Sequence, residues 1–175
     1  MGAVIALQAA LQVPLEAVAV YDPPVPVDGL FPTDFLEPFE KSVAAGDLPS
    51  AIAQMNSINT GIASRLPFLV QRAFGRAFLH TTWGKSMAAS MPTTVRQLRT
   101  SFNTGGPASM YAGIDARLLL ACGTRSPRYY VPICDGIAEV VPHGRSLQVP
   151  GSHNAANIAR PAFVTPFVDF FATRS

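Results

Sequence analysis

Charge is what this sequence has least of. Asp, Glu, Lys and Arg make up 14% of its 175 residues, and the net charge is +2. No run of Lys or Arg occurs, so the electrostatic footprint of a nucleic acid or anionic membrane partner is missing and neither is expected. Cysteine is nearly absent too. Cys122 and Cys134, with no C-x-x-C, make neither a disulfide framework nor a zinc site, so a reduced, cytoplasmic setting is the default. Both read as small buried hydrophobes rather than nucleophiles. There is no metal-ligand cluster, no Walker loop and no dinucleotide fingerprint, and Gly105-Gly106 reads as a loop. No metal and no cofactor are expected. The apolar start, residues 3–11, is too short to cross a bilayer and lacks the positive flank of a signal peptide.

What is present is hydrophobic: 49% of the residues. A chain of this size and composition folds as one ordinary well-buried domain, hiding roughly 70% of its unfolded surface. The first dozen residues read as a helix apolar nearly all round, the kind that is buried. It begins at residue 1 with no capping residue ahead of it, which suggests that the natural chain began earlier. Residues 15–21 (Leu-Glu-Ala-Val-Ala-Val-Tyr) read as a strand buried on both faces, stopped by Asp22-Pro23-Pro24.

Residues 28–113 have another texture, of helices separated by Pro and Gly and without a convincing strand. The pattern predicts helices over 32–45, 49–66, 68–79 and 92–102. A helical insertion of this size between strand-like runs suggests a cap or lid. Strand character returns at 117–121, followed by the turn Gly123-Thr-Arg-Ser-Pro127. A crossover helix over 129–141 is weakened by Pro132 and Gly136. The last strand covers 146–149 and a closing helix covers 161–172. Strand–helix–strand–helix order implies parallel strands and right-handed crossovers. The expected fold class is therefore α/β, with about three parallel strands, flanking helices and a helical insertion.

Four segments together resemble the α/β-hydrolase superfamily. Met1-Gly2-Ala-Val-Ile-Ala-Leu7 resembles the second half of its Gly-x-Ser-x-Gly nucleophile elbow and the helix behind it. Tyr21-Asp-Pro-Pro24 resembles the end of the sixth strand. Leu118-Leu-Leu-Ala-Cys-Gly-Thr-Arg-Ser-Pro127 and Val149-Pro-Gly-Ser-His-Asn-Ala-Ala-Asn157 resemble the seventh-strand turn and the catalytic-histidine loop. The resemblance implies a partial hydrolase core over 1–27 and 114–175, with the cap over 28–113. It also implies that the nucleophile precedes Met1, and that the Met1 amide would be one oxyanion donor. The expectation is an N-terminally truncated hydrolase that acts on an ester or other small apolar substrate when complete and is inactive as this chain.

The resemblance makes His153 the catalytic base. The orienting acid is open. Its commonest place, the seventh-strand turn, holds Ser126, which cannot carry negative charge. Asp22, at the end of the preceding strand, is the first candidate, and Asp135 in the crossover helix a weaker one. His80 and His143 read as surface residues. Met55, Phe68, Phe74, Phe78, Met87 and Met91 read first as core of the helical insertion and second as lining of an apolar pocket. An alternative from another class is a non-catalytic interaction protein that uses the cap and the first strand's bare edge, through which the chain could also self-associate.

Overall fold

The computed structural model describes residues 2–59 and 62–173. Met1, the expected oxyanion donor, lies outside the described residues. The elements in order are α1 (Gly2–Gln12), β1 (Ala17–Tyr21), α2 (Leu36–Ala44), α3 (Leu48–Ser57), α4 (Phe68–Phe78), α5 (Thr82–Asn103), β2 (Arg117–Gly123), α6 (Tyr130–Val140), β3 (Gly144–Val149) and α7 (Pro161–Ala172). Short 3-10 turns cover Ile62–Arg65, Ala108–Tyr111 and Ala155–Asn157. The chain divides into two compact units, one formed by Met1–Phe31 with Thr104–Ser175 and the other by Pro32–Asn103.

The first unit is a parallel three-stranded sheet in the order β1-β2-β3. β2 is central, so its side chains are buried on both faces; Leu118, Leu119 and Leu120 are all at most 1% exposed. One sheet face meets α1 and α6, where Val4, Leu7, Ile133, Cys134 and Ile137 are buried. The opposite side packs on α7, with Phe163 buried against Ala121 and Val149. Burying one such aromatic contributes about 1.5–3 kcal/mol.

Two expectations for the start of the chain are corrected. β1 is not buried on both faces. Only Val18 and Val20 are buried while Ala17, Ala19 and Tyr21 are half-buried, because β1 is an edge strand among the described residues and its second face is only partly covered. Leu15 and Glu16 lie before the strand and are exposed. Likewise α1 buries a single stripe, Val4, Leu7 and Ala10, and leaves Ile5 62% exposed. The spacing of that stripe is the helical period, and β1 receives it.

The crossover helix survives its two weak residues. Pro132 is the third residue of α6, in the first turn, where a missing N–H breaks no intrahelical bond. Gly144 lets β3 start close to α6. A Cβ there would lie 2.5 Å from the Ala138 carbonyl oxygen.

The second unit is all helical among its described residues. Asp47 caps α3, its carboxylate accepting the Ser50 N–H at 3.3 Å and the Ser50 hydroxyl at 2.7 Å, and Arg72 of α4 donates to the same carboxylate. Gly75 brings α4 against α3, since a Cβ on it would sit 2.9 Å from the Pro49 carbonyl oxygen. The helix expected over 49–66 is instead α3, which ends at Ser57, with a separate 3-10 turn over Ile62–Arg65. The helix expected over 92–102 begins ten residues earlier, at Thr82, and runs through Pro92. An exposed interior proline forfeits one ladder bond, whereas the Thr81 hydroxyl caps the true start by accepting the Gly84 N–H at 3.0 Å. Phe68 and Phe74 are exposed rather than core, together with Leu69 and Trp83, while Met91 is buried.

Candidate functional site

Asp22 follows β1 directly. Its N–H donates to the Ala121 carbonyl at 2.9 Å, which extends the β1–β2 ladder by one bond. Its backbone then turns into the left-handed region at φ 42, a conformation that costs a non-glycine residue energy and persists only where the surroundings hold it. Here they do. The carboxylate accepts three hydrogen bonds: from the Gly123 N–H to Oδ1 at 3.2 Å, from the Ser126 hydroxyl to Oδ2 at 2.5 Å, and from His153 Nδ1 to Oδ2 at 3.1 Å. Asp22 is 1% exposed. A carboxylate buried this deeply is tolerated only with its lone pairs occupied.

His153 sits past β3, on the loop that follows Pro150 and Gly151. Its side chain is 53% exposed while that of Asp22 is fully buried. Because a carboxylate can only accept, His153 Nδ1 is the donor in this contact, and in the neutral imidazole that tautomer keeps the lone pair on Nε2. Both residues stand at carboxyl ends of parallel strands, the end where open α/β sheets place their ligands. A large groove of about 930 Å³ opens instead at the amino ends, by Glu16, Arg117 and His143, and does not include the pair.

The histidine is held from two sides. The Tyr130 ring, at the start of α6, stacks on it with centroids 5.7 Å apart and planes 6° from parallel. Tyr129 and Phe31 back that ring. Burial pushes the Tyr129 phenol up to about 12 and raises that of Tyr130 as well, so this wall stays neutral. On the other side the Tyr21 hydroxyl donates to the Ser152 carbonyl at 2.7 Å. Burial raises the Tyr21 phenol too, and its ring meets Phe163 edge-on at 4.9 Å. Gly123 makes the convergence possible. A Cβ there would lie 2.4 Å from the Tyr21 hydroxyl, 2.5 Å from the Ser126 hydroxyl and 2.7 Å from the Gly151 carbonyl oxygen.

The structure thus brings together His153, Asp22 and Ser126, which the sequence singled out separately. Asp135 stands apart, on the exposed side of α6, accepting a hydrogen bond from Ser146. His143 and His80 are exposed. Cys122 and Cys134 are free and buried. They share a hydrogen bond, which lowers the thiol of Cys122 and raises that of Cys134. Sequence reasoning missed Tyr21, Gly123 and Tyr130. Tyr21 and Gly123 stand inside the motif segments and were legible as motif neighbours, but nothing in the sequence pattern announces the stacking of Tyr130. Among the described residues no group of three or more His, Cys, Asp or Glu is arranged to hold a metal ion. No described helix is long and apolar enough to cross a membrane.

No family model and no curated protein sequence matches the chain. Solved structures do match in fold. An α/β hydrolase from Sphaerobacter thermophilus DSM 20745 superposes with a TM-score of 0.64 at 20% identity, covering 97% of this chain and 64% of the other. MGS-M2, an α/β hydrolase enzyme from a Medee basin deep-sea metagenome library, superposes with a TM-score of 0.70 at 14% identity, covering 99% of this chain and 63% of the other. The chain therefore has the α/β-hydrolase fold in part, as its motif segments suggested, and spans under two thirds of the length of either neighbour.

Proposed function

We propose, on the premise of that fold, that this chain carries the acid–base half of a hydrolase active site acting on an ester or other small apolar substrate. His153 is the general base and Asp22 its orienting carboxylate. The observation that carries the reading is the 3.1 Å contact between His153 Nδ1 and a fully buried Asp22 carboxylate oxygen. In this reading Nε2 takes the proton of an attacking hydroxyl and returns it to the leaving group, while Asp22 fixes the tautomer and stabilises the imidazolium. The nucleophile belongs to a longer chain, ahead of Met1, and these 175 residues by themselves turn over little substrate. The helical unit, Pro32–Asn103, is the cap. The reading calls for no cofactor and no metal, and the two free thiols favour a reducing, cytoplasmic compartment.

The test compares this chain with an upstream-extended one on short-chain p-nitrophenyl esters. Hydrolysis by the extended form alone, abolished by His153→Ala, is the expected result. An extended form that is inactive, or that keeps its activity without His153, removes the reading.

One observation favours a second reading, a non-catalytic interaction protein: Phe68, Leu69, Phe74 and Trp83 of the helical unit are exposed. Association of copies through the edge of β1 is a further form of it. A concentration-dependent mass in solution, with no esterase activity in the extended chain, supports this one.

A further inference from the structure

A second cavity lies beside the His153 loop. Its volume is about 480 Å³, within the range of small-molecule sites. Gly151 and Ser152, which lead into His153, form one wall, and the polar groups around it are Thr124, Arg125 and Arg160. No Asp or Glu lines it. Among the described residues no carboxylate pairs with either arginine, although Arg72 and Arg99 of the helical unit are both paired, with Asp47 and Glu40. Arg125 and Arg160 are both exposed and line the same cavity, and an anion bound beside two cations is favoured by both. Guanidinium also matches carboxylate and phosphate oxygens two at a time.

The remaining walls are apolar, chiefly Pro150, Ile158 and Phe163, and Ile158 is 66% exposed at the rim. The shape is fixed in advance. Arg125 N–H donates to the Gly151 carbonyl at 2.7 Å, Ala155 N–H to the Ser152 carbonyl at 2.7 Å and Gly151 N–H to the Thr124 hydroxyl at 3.4 Å. Thr124 thereby keeps its own proton to donate.

We infer that this cavity binds a small amphiphilic anion: one carboxylate or phosphate head between Arg125 and Arg160, and a short apolar tail against Ile158 and Phe163. The inference does not depend on the hydrolytic reading, since it concerns binding by the chain as it stands. Its occupant would brace the loop that carries His153.

Calorimetric titration of the 175-residue chain tests it with four probes: hexanoate, hexyl phosphate, hexanol and inorganic phosphate. Hexanoate, hexyl phosphate or both bind saturably, and whichever does identifies the head group. Hexanol and inorganic phosphate bind at least about tenfold more weakly, lacking one half of the recognition each. Arg125→Gln and Arg160→Gln each weaken the bound anion by about tenfold, whereas Arg145→Gln, on the opposite groove, leaves it unchanged. The inference is overturned if neither amphiphile saturates by about 10 mM. It is equally overturned if hexanol or inorganic phosphate binds as tightly, or if the double arginine variant binds like the wild type.

Discussion

Ser126 Oγ and His153 Nδ1 meet on the same oxygen of Asp22, at 2.5 Å and 3.1 Å. Ser126, in the turn after β2, is a hydroxyl that donates to a carboxylate held on the neighbouring strand. The two positions are within one hydrogen bond of each other, so the turn supports the Asp22 carboxylate from a neighbouring strand.

Asp22→Asn replaces an acceptor-only group with one that can also donate. The His153 ring then loses its preference for the Nδ1–H form, a change that imidazole nitrogen-15 shifts in the chain report directly. In the extended enzyme turnover falls by about four orders of magnitude. Asp135→Asn leaves both readouts in place, and an equal loss from that change would remove Asp22 from its assigned role.

Ser126→Ala deletes the shortest hydrogen bond to a buried carboxylate and leaves its oxygen short of a donor. Stability drops by about 1–3 kcal/mol, read as a lower urea midpoint. A midpoint unchanged within error would mean that the bond contributes nothing.

Tyr21→Phe and Gly123→Ala attack the same convergence with different severity. Tyr21→Phe loses one hydrogen bond to the histidine loop, for about 1 kcal/mol. Gly123→Ala places a methyl 2.7 Å from the Gly151 carbonyl oxygen, which as backbone has little room to yield, and it destabilises by about 1–3 kcal/mol. Faster amide exchange around residues 151–153 should accompany both. If Gly123→Ala is the milder of the two, the crowding at this position is not real.

The helical unit has its own pH dependence. The Ser50 hydroxyl bond, with the Ser50 N–H and Arg72 adding to it, holds the Asp47 carboxyl below the usual range. A carboxyl lowered in the folded state stabilises it above the unfolded pKa of about 4, and that support is lost as pH falls through the folded value. Asn caps a helix as well as Asp does, so Asp47→Asn removes the titration and keeps the cap. The stability gap between wild type and Asp47→Asn, followed by the fluorescence of the single tryptophan, Trp83, therefore closes between pH 7 and pH 3. A gap of constant size across that range contradicts the assignment.

Sequence periodicity reached the elements whose burial is decided locally. Leu118-Leu119-Leu120 announces a central strand because three consecutive leucines fit only where both faces are covered. The same logic misjudged residues 15–21, since whether a second face is covered depends on neighbours the run does not encode. Pro92 looked like a helix start because proline favours first turns, yet the Thr81 cap eleven residues upstream set the boundary. Asp22 and His153 were legible as strand-end residues with suitable chemistry. Their contact, 131 residues apart in sequence, was not, and neither was the Tyr130 ring laid against the imidazole.

That separation gives the pair a use unrelated to chemistry. Asp22 leaves β1 and His153 follows β3, with β2 lying between them. The two meet only when β1–β2 and β2–β3 are both in register, and a slip of one residue in either ladder turns side chains to the wrong face. The proton position on one imidazole therefore works as a gauge of assembly for the whole sheet. A single nitrogen-15 resonance, followed through a denaturant series, times the joining of the two ends of this chain.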